Sequence, residues 1–169
     1  MPTKALETLK SLVGETRETV QEFRVERGKI VEFAAAIHAT NPIHTDVQAA
    51  REQGYADVVA PLTFAKTSYF PHNRPEGIDE NLGFDLGFEP SRIVHGEQAF
   101  EYERPLVAGD VLNGETTLTD VYQRESNRAG TMTFACYETR FVDRDGDLVL
   151  TSETTRIETG QAISEADDA

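Results

Sequence analysis

The sequence predicts an α+β protein in which one curved antiparallel sheet wraps around a central helix. Two features carry this. Ala60 to Phe70 reads as a buried helix opened by a proline, and four strand-like segments fill the chain from Arg92 to Glu158, with glycine- or proline-bearing turns between them. A run of strands beside a separate helical part packs most simply as helix against sheet.

The helix is expected to start at Pro61, because the first helical position needs no amide donor and proline already holds the helical φ. Leu62, Ala65 and Tyr69 then share a face, and Phe64 and Phe70 widen it, so that only Lys66 asks for water.

At 169 residues the chain is long enough for a sizeable core and short for two domains. The expected organisation is a helical extension over 1–20, one domain over 21–159 and an acidic, disordered tail over 160–169. Sixteen Lys and Arg against thirty Asp and Glu give a net charge of −14, which argues against nucleic acid or an anionic membrane as partner. The excess runs along the whole chain, as in the acidic surface that a halophilic cytoplasm requires. The single cysteine, Cys136, excludes an internal disulfide, fits a reducing compartment and is expected to fill the core. No apolar run approaches a membrane span of ~20 residues, and the amino terminus has no signal-peptide core, so a soluble, cytoplasmic protein is expected.

Along the chain, residues 2–20 carry a helical pattern through Leu6, Leu9, Leu12 and Val13, with Gly14 as a stop, and Gln21 to Val25 alternates like a short strand. Arg27 to about His38 is amphipathic through Ile30, Phe33, Ala34 and Ile37, and Thr40-Asn41-Pro42 ends it, since the residue before proline avoids the α region. Thr45 or Asp46 then caps a short helix that Gly54 closes. Pro71 to Ser91, with three prolines, three glycines and the near-repeat Leu82-Gly-Phe-Asp, Leu86-Gly-Phe-Glu, reads either as a lid or binding loop or as a surface excursion pinned by Phe84 and Phe88.

The strands are expected at Ile93 to Glu103, Val111 to Arg124, Thr131 to Val142 and Leu148 to Glu158. Pro105 with Gly109-Asp110, Asn127 to Gly130 and Asp145-Gly146 form the turns between them. Phe100 and Tyr102 share one strand face, and Phe134 and Cys136 another, as a sheet packed on a helix requires.

Chemistry concentrates in the turn Asn41-Pro-Ile-His44. A histidine there holds water and moves a proton near neutral pH, and Asn41 fixes a carbonyl or a water. The amides at the start of the expected helix offer an anion site, with Leu62 or Thr63 donating because Pro61 has no N–H. Each feature has a plainer reading, a structural histidine and an ordinary capped helix. His95 sits on a strand face, where a surface or interface role is expected, and His72 lies in the loop beside Arg74. No residue pair has zinc-ligand spacing and no glycine loop fits a phosphate, so neither metal nor nucleotide cofactor is expected.

Asn41-Pro-Ile-His44, with Asp46 and Ala50, resembles the hydratase signature of MaoC-like, (R)-specific enoyl-CoA hydratases. Phe100-Glu-Tyr-Glu-Arg-Pro-Leu-Val-Ala-Gly-Asp110 is similar to the strand and turn these hot-dog proteins share. Val58-Val-Ala-Pro-Leu-Thr-Phe64 resembles the amino-terminal, dehydratase-like branch, which includes a subunit of the heterodimeric (3R)-hydroxyacyl dehydratases. The resemblance implies a single hot-dog domain, at least dimeric, that adds water to trans-enoyl thioesters of CoA or acyl carrier protein, or removes it, in fatty acid metabolism and with no other cofactor. In that chemistry an aspartate and a histidine share the water while a helix-terminal amide polarises the thioester carbonyl.

His44 falls on the family histidine and Asn41 on its asparagine, which makes them the catalytic candidates, while Pro61, Leu62 and Thr63 are the substrate-binding ones. The aspartate does not carry over: Ala39 stands in its place, and His38 replaces the preceding glycine. Three roles follow for the chain. The favoured one is a subunit of a heteromeric hydratase or dehydratase whose MaoC-like partner supplies the dyad, with the 71–91 region shaping the acyl tunnel. The second is a self-sufficient homodimeric enzyme in which His38 or Asp46 assists His44, although these fit better as a helix end and a helix cap. The third is a non-catalytic acyl-CoA-binding module. A thioesterase also suits the fold, but no carboxylate lies between Val59 and Phe70 to support it.

Overall fold

The computed structural model describes residues 4–78 and 82–161. The expectation of a disordered tail over 160–169 falls, from residue 162 on, outside the described residues.

The elements are α1 (Leu6–Lys10), β1 (Thr16–Arg24), α2 (Arg27–Ala36), α3 (Val47–Glu52), β2 (Ile93–Tyr102), β3 (Val111–Ser126), β4 (Gly130–Val142) and β5 (Leu148–Glu158), with short 3-10 turns between α2 and β2. The strands form one antiparallel sheet in the order β1-β3-β4-β5-β2. The four strands expected after residue 92 are all present, within two residues at each end.

Two expectations on helices are corrected. The helical pattern over residues 2–20 yields only α1, because Gly14 at φ 91° stops the helix and Thr16, Thr19 and Val20 then favour a strand. The sheet therefore begins inside the segment read as an extension. The helix expected from Pro61 is instead a 3-10 stretch, Phe64–Tyr69, preceded by a turn in which the Phe64 amide donates to Pro61 O at 2.8 Å. Threonine, serine and aromatic side chains are weak helix formers, and Thr67 Oγ1 donates to Phe64 O at 2.8 Å, a local bond that competes with the helical ladder.

This 3-10 stretch is nonetheless what the sheet curls around. Phe64 meets Phe23 of edge strand β1 with ring centroids 5.9 Å apart, while Lys66 Nζ donates to Gln98 Oε1 of the opposite edge, β2, at 2.9 Å. Phe33 of α2 stands edge-on to Phe64 at 5.4 Å. A first apolar cluster forms there from Phe23, Ile30, Phe64, Leu112, Phe141 and Leu150.

A second cluster lies beyond it. Leu82, Phe84, Leu86 and Phe88 are buried against Leu9, Leu118, Val121, Ala135 and Tyr137. Of the two readings of 71–91, the described part from residue 82 on matches the pinned excursion, with both halves of the near-repeat pointing aromatic and leucine side chains inward.

Between the clusters runs a buried polar row: Thr19 Oγ1 and Thr116 Oγ1 lie 2.7 Å apart, as do Thr116 Oγ1 and Thr139 Oγ1, and Ser152 follows opposite Thr139. Ser152 Oγ in turn accepts from Gln98 Nε2 at 2.7 Å. The parity of this row corrects one reading. Phe100 and Tyr102 do face inward, but on β4 the inward residues are Ala135, Tyr137, Thr139 and Phe141, so Phe134 and Cys136 point outward. Phe134 stacks on Tyr122 at 4.7 Å, and Cys136 is half-buried beside Thr155 rather than in the core. Both faces of this strand carry apolar residues, so alternation alone did not tell them apart.

Candidate active site

The turn after β2 builds the site from outside. Asp110 Oδ2 accepts from Arg104 Nη1 at 2.8 Å and from the Val107 amide at 2.9 Å, closing residues 104–110 into a rigid corner. That corner grips the stretch before Pro61: the Ala60 amide donates to Leu106 O at 2.8 Å, and the Ala108 amide to Val58 O at 3.0 Å. The bidentate pair of Arg27 and Asp57 ties the start of α2 to the same stretch and holds the Asp57 carboxyl below its ordinary range, with the Arg27 hydrogen bond as the main cause.

Val58 to Ala60 in turn fixes His44. The Val59 amide donates to Ile43 O at 3.0 Å, and the half-buried His44 ring sets Nδ1 2.6 Å from Val59 O. A backbone carbonyl only accepts, so Nδ1 carries a proton and Nε2 is the ring nitrogen left for other partners. Asn41 caps the 3-10 turn Pro42–His44, its Oδ1 accepting from the Ile43 amide at 3.2 Å, which leaves the Nδ2 end as its donor. Asp46, rather than Thr45, caps α3 by accepting from the Gln48 amide at 2.8 Å.

His38 takes φ 55° just after α2, the left-handed conformation that favours glycine, while the Ala39 amide donates to Ala34 O at 2.8 Å. Among the described residues no carboxylate hydrogen-bonds His44.

Pro61 is buried, whereas Leu62 and Thr63 are exposed. The Leu62 carbonyl accepts from Tyr102 Oη at 2.6 Å, and burial pushes the Tyr102 hydroxyl up to about 12. The amides of Leu62 and Thr63 lie in a turn and not at an α-helical terminus, so the aligned helix end on which the expected anion site rested is not formed there.

A mainly apolar cleft of about 410 Å³ opens beside Phe23, Phe33, Ala36, Phe64, Thr67 and Phe70. Lys66, expected to reach for water, lies 4.3 Å over the Tyr69 ring, and burial brings its ammonium down to about 8. The residues that sequence reasoning missed are Val59, Tyr102 and Lys66. Only the position of Tyr102 on the inward face of its strand could have signalled its role. No group of three or more His, Cys, Asp or Glu among the described residues could hold a metal ion. No described helix is long and apolar enough to cross a membrane.

A five-stranded antiparallel sheet curled round a short helical stretch, with an Asn-Pro-Ile-His turn clamped to the strand before it, defines a hot-dog protein of the MaoC-like dehydratase class. The chain belongs to the family of FAS1-like dehydratase domain regions, whose model matches residues 11–152. A UPF0336 protein of Clavibacter michiganensis is 39% identical over 150 residues, covering 88% of this chain and 94% of that protein. One of Thermobifida fusca is 38% identical over 152 residues, covering 90% and 94%.

Among solved structures, a MaoC-like dehydratase superposes with a TM-score of 0.73 at 31% identity over 89% of this chain, which spans only 43% of that longer one. C-terminally truncated HadBC of Mycobacterium tuberculosis, a (3R)-hydroxyacyl-ACP dehydratase complex, superposes with a TM-score of 0.67 at 25% identity, covering 86% of this chain and 96% of that one.

Proposed function

We propose that the chain is a subunit of a heteromeric hydratase or dehydratase acting on enoyl or (R)-3-hydroxyacyl thioesters, in which a MaoC-like partner supplies the complete catalytic dyad. One observation carries this reading. His44 is held in place by Val59 O, yet Ala39 occupies the position of the aspartate, and no described carboxylate hydrogen-bonds the ring.

An imidazole alone can shuttle one proton, but the pair that the resemblance implies for hydration, an aspartate and a histidine sharing one water, is incomplete in this chain. The side chains nearest in sequence do not fill the gap, since Asp46 is committed to capping α3 and His38 is exposed at a helix end.

In this reading the subunit contributes binding. The cleft lined by Phe23, Phe33, Phe64 and Phe70 takes the acyl chain, and the Leu62 and Thr63 amides, just before Phe64 and outside that lining, are offered to the thioester; Asn41 lines a separate hollow with Pro42, Ile43 and Tyr55. Carriers of this kind, CoA or acyl carrier protein, need no further cofactor. The heteromeric HadBC complex supports the choice of a partner, as that assembly is built on the same fold.

The test is hydration of crotonyl-CoA by the purified chain alone and after reconstitution with a MaoC-like subunit that carries the Asp and His dyad, each with wild-type and His44→Ala chain. The expected result is no turnover alone, and turnover with the partner that His44→Ala leaves nearly intact. Turnover by the chain alone that disappears in His44→Ala would sink the reading in favour of self-sufficient catalysis. Failure with every dyad-bearing partner would leave an acyl-thioester-binding module.

A further inference from the structure

The apolar cleft adjoins a polar hollow. The two share Lys29, His72 and Asn73 in their walls, and the hollow, of about 430 Å³, is otherwise lined by charged and polar side chains.

Both walls of the apolar cleft give it a direction. Ala36 ends α2, which packs on the Pro42–His44 turn, whereas Lys29 lies two turns back, about 10 Å away. The facing wall runs from Phe64, next to Leu62 and Thr63, through Phe70 to His72 and Asn73. A thioester held at the Leu62 and Thr63 end therefore sends its acyl chain toward the polar hollow.

Three permanent cations line that hollow, Arg24, Lys29 and Arg74, against two carboxylates, Glu22 and Glu26, in a chain of net charge −14. The cleft's own carboxylate, Glu32, is exposed and does not line the hollow. Glu22 pairs with Arg24 at 3.1 Å and Glu26 with Lys29 at 3.2 Å, but exposed pairs of this kind are weak and exchange readily. Arg74 is preset. Its Nε and Nη2 donate to Tyr69 O at 2.9 and 2.6 Å, and it forms no ion pair among the described residues. Asn73, only 6% exposed, is fixed at the shared wall by its Nδ2 bond to Thr67 O at 3.3 Å. Edge strand β1 contributes through a bulge: Gln21 and Glu22 together stand opposite Asn113, Glu22 takes φ 47°, and its amide donates to Asn113 Oδ1 at 2.9 Å.

A methyl-ended chain that left the apolar cleft here would strip water from charged groups without replacing it. A carboxylate would exchange that water for charge-assisted hydrogen bonds. We propose that the substrate is an acyl thioester whose far end carries a carboxylate, held by Arg74 with Lys29 and Arg24, while the apolar cleft takes the methylenes between. The inference rests on the acyl-cleft reading above and adds the substrate class that the cleft selects.

Calorimetry on the whole chain compares the decanoyl thioester of N-acetylcysteamine, which carries no phosphate, with the same ester bearing a terminal carboxylate. The carboxylate is expected to tighten binding about tenfold at low salt, and less as salt rises. Arg74→Gln should abolish that preference, and Arg74→Lys should keep part of it. Should Arg74→Gln fail to fold, having lost its bonds to Tyr69 O, Lys29→Glu on an exposed side chain is expected to remove the preference in its place. Equal affinity for the two esters, or a preference untouched by these substitutions, would overturn the inference and leave the acyl-cleft reading standing. Binding of CoA itself that weakens in Arg74→Gln would overturn it too, by assigning the hollow to the phosphates of the carrier. If neither ester binds, the acyl-cleft reading falls and this inference with it.

Discussion

Phe64→Ala tests whether the 3-10 stretch is the wedge on which the sheet closes. The side chain is fully buried, 5.9 Å from the Phe23 ring and 5.4 Å from that of Phe33. Core Phe→Ala changes cost about 3–5 kcal/mol, the upper end belonging to sites that leave a closed void. Phe64 borders the open cleft of about 410 Å³, so the space it leaves joins that cleft and the loss belongs near about 3 kcal/mol. In a chain of this size each kcal/mol moves Tm by about 2–4 °C, which puts the variant about 6–12 °C lower.

Urea unfolding followed by circular dichroism, with a thermal scan beside it, measures both. Phe64→Leu keeps a wedge in place and should lose less than about half as much. A Phe64→Ala loss under about 1 kcal/mol would refute the reasoning, because a stretch that the sheet wraps cannot give up its largest buried side chain at the cost of a surface substitution.

Two further outcomes follow. His38→Gly relieves a left-handed residue and is expected to raise stability by about 0.5–1 kcal/mol in the same urea assay; no gain would mean that the imidazole makes up for the strain. Alkaline titration of stability should rise and then fall. Lys66 has its folded value brought down to about 8, so between there and its ordinary range the unfolded chain binds more protons and stability climbs with pH. Tyr102, pushed up to about 12, keeps its proton in the fold after the unfolded chain has lost it, so stability drops from about pH 10 upward. Lys66→Gln should remove the rise and Tyr102→Phe the fall, both read from denaturation midpoints across pH.

The sheet was legible because its signals are local: Asn127 to Gly130 and Asp145-Gly146 mark hairpin turns, and the strands between them match within two residues. The turn that presents His44 was legible in part: Pro42 opens the 3-10 turn Pro42–His44, whereas α2 stops earlier, at Ala36, where His38 takes the left-handed conformation. One failure was local: residues 61–70 have the spacing of a helix, but the bond from Thr67 to Phe64 O competes with the helical ladder. The others depend on contacts distant in sequence. Phe134 and Cys136 alternate correctly yet point outward, because parity is set by partners on other strands. The hold of Val59 on His44 joins residues 15 apart through a backbone carbonyl, which leaves no trace in side-chain identity.

The buried hydroxyl row has a bearing on how the strands find their alignment. Alternation of apolar and polar residues penalises a slip of one place, which turns a strand inside out, but is blind to a slip of two, which restores the face. Thr19, Thr116, Thr139 and Ser152 stand at one level across four strands. A two-residue slip of β4 against β3 would bring Thr116 opposite Tyr137 or Phe141 and strand its hydroxyl among apolar groups, at about 1–3 kcal/mol for each orphan. The row therefore acts as a ruler across the sheet, rejecting even-numbered errors as alternation rejects odd ones, so that the long β3-β4 hairpin has a single setting in which to close.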